Sequence, residues 1–147
     1  MSTIIEIGIT SINNQSIKNV EIVELVAGKG IKGDRYFKDF NNVRSQITLI
    51  ESENIDYYNK SFNTNFLYKD FRRNLITKNI KLNDLIGKKL FIGETEIQAN
   101  DLCRPCKPLQ AQLGKENIIK EFLRRGGLRC EILKSGIIKV GDLIKID

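Results

Sequence analysis

The sequence predicts a mostly β protein, an antiparallel barrel-like fold with a few short helices. Its short apolar runs are many, β-rich and separated by glycine-bearing turns. Its helical patterns are few and scattered, without the regular strand and helix alternation of a parallel α/β fold. Apolar residues make 41% and charged residues 29% of 147 positions, an ordinary globular composition, so residues 1–147 are expected to form one domain around one core.

Ile5, Ile7 and Ile9 alternate at the start of the chain, the period-two pattern of a half-buried strand, and residues 18–26 read as a second strand. Ala27 to Arg35 is a loop, with Gly28, Gly30 and Gly33 permitting left-handed backbone and close approach of a ligand. Ser45 to Ile50 is β-rich, Glu51 to Lys60 is a short helix with Ile55 and Tyr58 inward, and Asn74 to Thr77 is a strand. Leu90 to Ala99 reads as a hairpin turning about Gly93 and Glu94. Ile118, Ile119, Phe122 and Leu123 recur at helical spacing ahead of a stop at Gly126-Gly127, the strongest helix pattern in the chain. Leu128 to Leu133 and Ile137 to Ile146 supply the last strands, the second broken by Gly141-Asp142.

The 24 Lys and Arg outnumber 18 Asp and Glu, giving a net charge of +6 that favours an anionic partner. No histidine is present, which excludes serine-type triads and histidine-built metal sites. The first residues show neither a basic leader region nor a long apolar run, so a cytoplasmic protein without a membrane span is expected. Three cysteines in a reducing compartment argue against a disulfide framework.

Cys103-Arg104-Pro105-Cys106 admits several readings. A zinc knuckle needs two further ligands, and only Cys130 is available without histidine. A thioredoxin-like dithiol is disfavoured because Pro108 falls inside the helix such a motif opens. A single working thiol fits better. Pro105 biases Arg104 to extended backbone, so Arg104 shares a face with Cys106, and Lys107 adjoins it. Nearby cations favour the thiolate, which is both nucleophile and soft metal ligand. A buried structural thiol is the plainer alternative for Cys106, while Cys130, alternating with Leu128 and Ile132, reads as core.

Lys32-Gly33-Asp34-Arg35 and Phe71-Arg72-Arg73-Asn74 set cations beside groups able to make directed hydrogen bonds, which suits phosphate or pterin recognition as well as it suits a solvated surface.

Together these residues resemble the MOSC family, the domain found at the C-terminus of molybdenum cofactor sulfurases. Gly33-Asp34-Arg35, Gln46 to Glu51, Phe71 to Asn74, Leu85-Ile86-Gly87 through Ile92-Gly93, Arg104-Pro105-Cys106 and Gly136 to Gly141-Asp142 fall in family order. The resemblance implies a barrel-like fold that binds the molybdenum cofactor, molybdopterin. Cys106 falls on the family's cysteine, which ligates molybdenum in relatives reducing N-hydroxylated compounds and handles sulfur in sulfurase-linked relatives. Arg72 and Asn74 fall on its cofactor-contact motif, with Arg35 and Arg73 expected at the phosphate and Lys32, Asp34 and Arg104 in support. A sulfur donor or redox partner protein is implied as well. Tyr36 stands where single-domain relatives often carry histidine.

A basic barrel that binds nucleic acid is the rival of a different class. Its aromatic candidates, Tyr36, Phe37 and Phe40, form one cluster rather than an interleaved stripe, which makes nucleic acid the weaker expectation.

Overall fold

The computed structural model describes residues 1–11, 16–39, 41–43 and 46–146. Phe40 and Ser45, both named above, lie outside these residues. In chain order the strands are β1 (Thr3–Ile9), β2 (Lys18–Val20), β3 (Ile22–Val26), β4 (Gly30–Ile31) and β5 (Ile47–Glu51). Helix α1 (Ser52–Phe62) and a 3-10 turn at Tyr68–Phe71 lead to β6 (Leu75–Lys78), and a second 3-10 turn at Leu82–Leu85 leads to the hairpin β7 (Lys89–Ile92) and β8 (Thr95–Leu102). Short helices α2 (Lys107–Leu113) and α3 (Ile118–Glu121) precede β9 (Leu128–Lys134), β10 (Gly136–Lys139) and β11 (Ile144–Ile146).

Eight strands form one sheet in the order β11-β7-β8-β9-β5-β6-β1-β2, and β10-β3-β4 form a second. The large sheet curls until its ends meet. A bridge joins Thr3 to Leu143, and the Ile4 and Ile144 amides donate to the Asp142 and Ser2 carbonyls, tying β1 to the segment entering β11. Val23, Leu25, Ile31 and Ile138 of the small sheet share a core with Ile47, Leu49, Ile97 and Cys130 of the large one, so the fold is mostly β and barrel-like, as expected. The pairing is antiparallel except at β5 and β6, which run parallel with α1 between them. The helices cover the other face of the large sheet over Ile50, Ile55, Tyr58, Phe71, Ile76 and Phe122.

Three expectations change in detail. The alternation in β1 is broken, because pairing with β6 moves from Ile4 opposite Thr77 to Glu6 opposite Ile76 and leaves Ile5 extra. That bulge turns Ile4 and Ile7 into the barrel core and Ile5 towards the helical layer. Residues 18–26 divide into β2 and β3, which belong to different sheets. The helix expected at 118–125 is the single turn α3, with Leu123 exposed, whereas α2 follows the cysteine motif directly. Pro108 lies in the first turn of α2, where a proline's missing N–H costs no intrahelical bond, so it does not bar a helix there. Among the described residues, no helix is long and apolar enough to cross a membrane.

Candidate functional site

The C-terminal end of β1 organises the basic loops. The Thr10 amide donates to Asp34 Oδ1 at 3.0 Å, the Arg35 amide donates to the Thr10 carbonyl at 2.6 Å, and the Tyr36 amide donates to Asp34 Oδ2 at 3.3 Å. Asp34 is thus the anchor of its loop. Gly33 stands at φ +88°, a conformation that side chains rarely adopt, and so supplies the turn into Asp34. Two residues back along β1, the Gly8 amide donates to the Asn74 carbonyl at 2.7 Å and Asn74 Nδ2 donates to the Gly8 carbonyl at 3.1 Å. Asn74 Oδ1 also accepts from the Thr48 amide at 3.0 Å and from Thr48 Oγ1 at 3.1 Å. One asparagine therefore stitches β1 and β5 at the head of β6, with its amide oxygen doubly bonded within the protein.

Docking both loops on one strand end brings Arg35 and Arg72 together. Burial, and after it the charge of Arg35, hold the Arg72 guanidinium below the ordinary arginine pKa, with Tyr36 and Asp34 acting in the opposite sense. Arg35 is held by Tyr36, whose hydroxyl accepts from Nη2 at 2.6 Å and whose ring lies 4.5 Å below the guanidinium carbon. Arg72 caps the 3-10 turn with φ 61° and ψ 30°, a left-handed conformation costly for a residue with a Cβ.

Across that left-handed residue the chain changes direction, and Arg73 goes inward. It is 9% exposed, and its Nε donates to the Gly126 carbonyl at 2.9 Å, Nη1 to the Phe71 carbonyl at 3.2 Å and Nη2 to the Cys103 carbonyl at 3.5 Å. The Cys103 amide in turn donates to the Gly127 carbonyl at 2.8 Å. A Cβ on Gly126 would sit 2.2 Å from the Cys103 carbonyl oxygen, and one on Gly127 would sit 1.8 Å from that of Leu49. The glycine pair, read in sequence as a helix stop, is a crossing point of three backbones.

The cysteines separate by exposure. Cys103 and Cys130 are buried, and Cys106 is exposed in extended backbone at φ −126°, ψ 164°, immediately before α2. Burial, and secondarily Cys103, push the Cys130 thiol far above its usual range. Among the described residues, no three Cys, Asp or Glu side chains gather as a metal group.

The remaining cations expected at the site are engaged on the surface. Lys32 Nζ lies 3.2 Å from Glu24 Oε2, and Arg104 Nη1 lies 3.3 Å from Asp101 Oδ2, both pairs solvent-exposed and weak. The structure therefore brings Arg35 and Arg72 together on one loop face, sets Arg73 and Asn74 to hold the scaffold, and leaves Cys106 on the neighbouring loop that Arg73 fastens through Cys103. Sequence reading missed Thr10, Thr48 and the Gly126-Gly127 crossing, which become visible only when distant segments meet. Tyr36, an aromatic candidate in the sequence and the residue at the position where relatives often carry histidine, is here the support of Arg35.

A family model described as MOSC domain matches residues 32–145. The fold is similar to that of the YuaD protein of Bacillus subtilis, with a TM-score of 0.86 and 16% identity over 99% of this chain and 96% of that one. It is also similar to YiiM of Geobacillus stearothermophilus, with a TM-score of 0.80 and 17% identity over 100% of this chain and 75% of that one. For YiiM of Escherichia coli the TM-score is 0.79, at 18% identity over 100% of this chain and 70% of that one. No curated protein matches the sequence.

Proposed function

The chain belongs to the MOSC domain family, and from that membership we propose that it binds a molybdopterin-type cofactor, with Arg35 and Arg72 meeting the cofactor's phosphate and Cys106 meeting its metal or carrying sulfur. The observation that carries this reading is the arginine pair. The loops that carry the two arginines are held to the same strand end by backbone hydrogen bonds, and Arg72 stands in left-handed backbone with its guanidinium partly desolvated. A phosphate between them relieves their repulsion and accepts forked hydrogen bonds from both.

The residues fit the group. Cys106 is the exposed thiol of the three, and a thiolate is a soft ligand suited to such a metal. Gly33 and Asp34 shape the loop that presents Arg35, Asn74 fixes the strand junction behind Arg72, and Arg73 fastens the Cys103 to Cys106 loop to that junction. Lys32 and Arg104, each paired with a surface carboxylate, stand in support without direct contact. When bound, the cofactor supplies the metal and its redox chemistry. The protein's part is to hold the phosphate and to present one thiol in reducing, cytoplasmic surroundings. That arrangement serves cofactor sulfuration or delivery, with a sulfur donor as partner, or reduction of N-hydroxylated compounds with a redox partner.

Metal content tests the thiol. In protein purified from cells that make the cofactor, Cys106→Ser is expected to lower molybdenum or persulfide sulfur per chain by about tenfold or more, with the melting temperature unchanged. Equal loading in wild type and variant removes Cys106 from the site.

A further inference from the structure

Beside Arg72, the surface opens into a cleft of about 350 Å³ between the Tyr68–Phe71 turn and the C-terminal half of α2. Its lining is mostly polar, from Ser16, Lys69, Asp70, Arg72 and Gln112, with Ile17, Phe66 and Leu113 forming a smaller apolar side. The volume suits a small ligand.

The apolar wall is rigid. The Phe66 amide donates to Asn59 Oδ1 at 3.0 Å while Asn59 Nδ2 donates to the Phe66 carbonyl at 2.9 Å, so one side chain pins the residue from both sides. The Phe66 ring stands edge-on to Phe71 at 5.9 Å and 89°, which fixes its orientation against the helical core. Phe66 and Leu113 both pack on that core, and Ile17 is buried beneath Gly8, where a Cβ would meet Ile17 Cγ2 at 2.4 Å. The walls are therefore preformed.

The charges of the lining set the ligand's charge. Lys69 and Arg72 are positive and Asp70 is negative, which leaves one net positive charge. Asp70 Oδ2 accepts from the Leu67 amide at 2.8 Å, so that carboxylate is engaged in capping the turn. We propose that this cleft binds a small organic monoanion with a flat apolar body, its carboxylate between Lys69 and Arg72 and its body against Phe66, Ile17 and Leu113. The site shares Arg72 with the cofactor reading but needs neither cofactor nor thiol.

The test uses the cofactor-free full chain, labelled with nitrogen-15 and titrated at constant ionic strength with benzoate and, separately, with the neutral benzamide. Benzoate is expected to shift the amides of Phe66, Lys69 and Leu113 saturably, and benzamide to bind about tenfold more weakly. Lys69→Gln, at a partly exposed turn position, is expected to weaken benzoate about fivefold. Absence of saturable shifts at these residues, equal binding of benzamide, or undiminished binding to Lys69→Gln overturns the proposal. Because no cofactor is present in these titrations, each of those results leaves the cofactor reading where it stood.

Discussion

Arg72 and Arg73 leave the backbone at adjacent positions and end in opposite surroundings. Arg72 lies half-buried beside a second arginine, whereas Arg73 is buried with its three hydrogen bonds directed at carbonyl oxygens of Phe71, Cys103 and Gly126. A guanidinium ringed by carbonyls satisfies acceptors that burial has stripped of water, and so belongs to the architecture. Arg72 stands beside a like charge that Tyr36 and Asp34 offset, and in the proposed function it is the one that meets the anion. The inner region should answer mutation through stability and the outer region through ligand affinity.

The inner region offers the largest effect. Gly127→Ala places a Cβ into the Leu49 carbonyl at a residue with φ +98°, and is expected to destabilise the chain by more than about 4 kcal/mol in urea denaturation, or to prevent soluble expression. Arg73→Ala leaves buried carbonyls without donors and is expected to cost about 3 kcal/mol, visible as a melting temperature lower by roughly 6–12 °C. Arg73→Lys should recover less than half of that loss, because one ammonium cannot match a planar fork directed at three acceptors. Full recovery by lysine would mean that charge rather than geometry matters there.

Arg72→Gly sharpens the contrast from the outer side. Glycine adopts φ 61° without strain, so stability should change by less than about 1 kcal/mol even though a cation is removed. A loss as large as that of Arg73→Ala would erase the distinction between the two arginines.

The smallest effect concerns pH. Burial raises the Glu51 pKa above its ordinary value, in opposition to a hydrogen bond from the Leu82 amide at 3.2 Å. The folded state therefore binds the Glu51 proton more tightly than the unfolded state, and the associated stability is full below about pH 4.5 and lost as pH rises through the folded pKa. Glu51→Gln keeps an acceptor for Leu82 and removes the charge, so it should melt about 2 °C higher at pH 7 and show no advantage below about pH 4. A constant difference across that range would contradict the assignment.

Local pattern made much of the fold legible. The hairpin about Gly93 and Glu94, the inward Ile55 and Tyr58 of α1 and the buried strand position of Cys130 all follow from periodicity and turn chemistry within a few residues. The division of labour between Arg72 and Arg73 was not legible, because it depends on a left-handed residue and on carbonyls 30 and 53 positions away. The structural bonds of Asn74 are not legible for the same reason, since its bond to Gly8 spans 66 positions. Helix α2 was missed because Pro108 was weighed as a breaker, and its first-turn position emerges only once the helix start at Lys107 is known.

Pterin content of parallel purifications tests the central claim most directly. Wild type, Arg35→Ala, Arg72→Gly and Arg73→Lys are prepared from cells that make the cofactor, and bound pterin is read by fluorescence after oxidation and normalised to folded protein. The account predicts pterin in wild type, about tenfold or greater loss in Arg35→Ala and Arg72→Gly at near-normal melting temperature, and retention by the folded fraction of Arg73→Lys. Pterin absent from wild type, or retained equally in both outer variants, would contradict it.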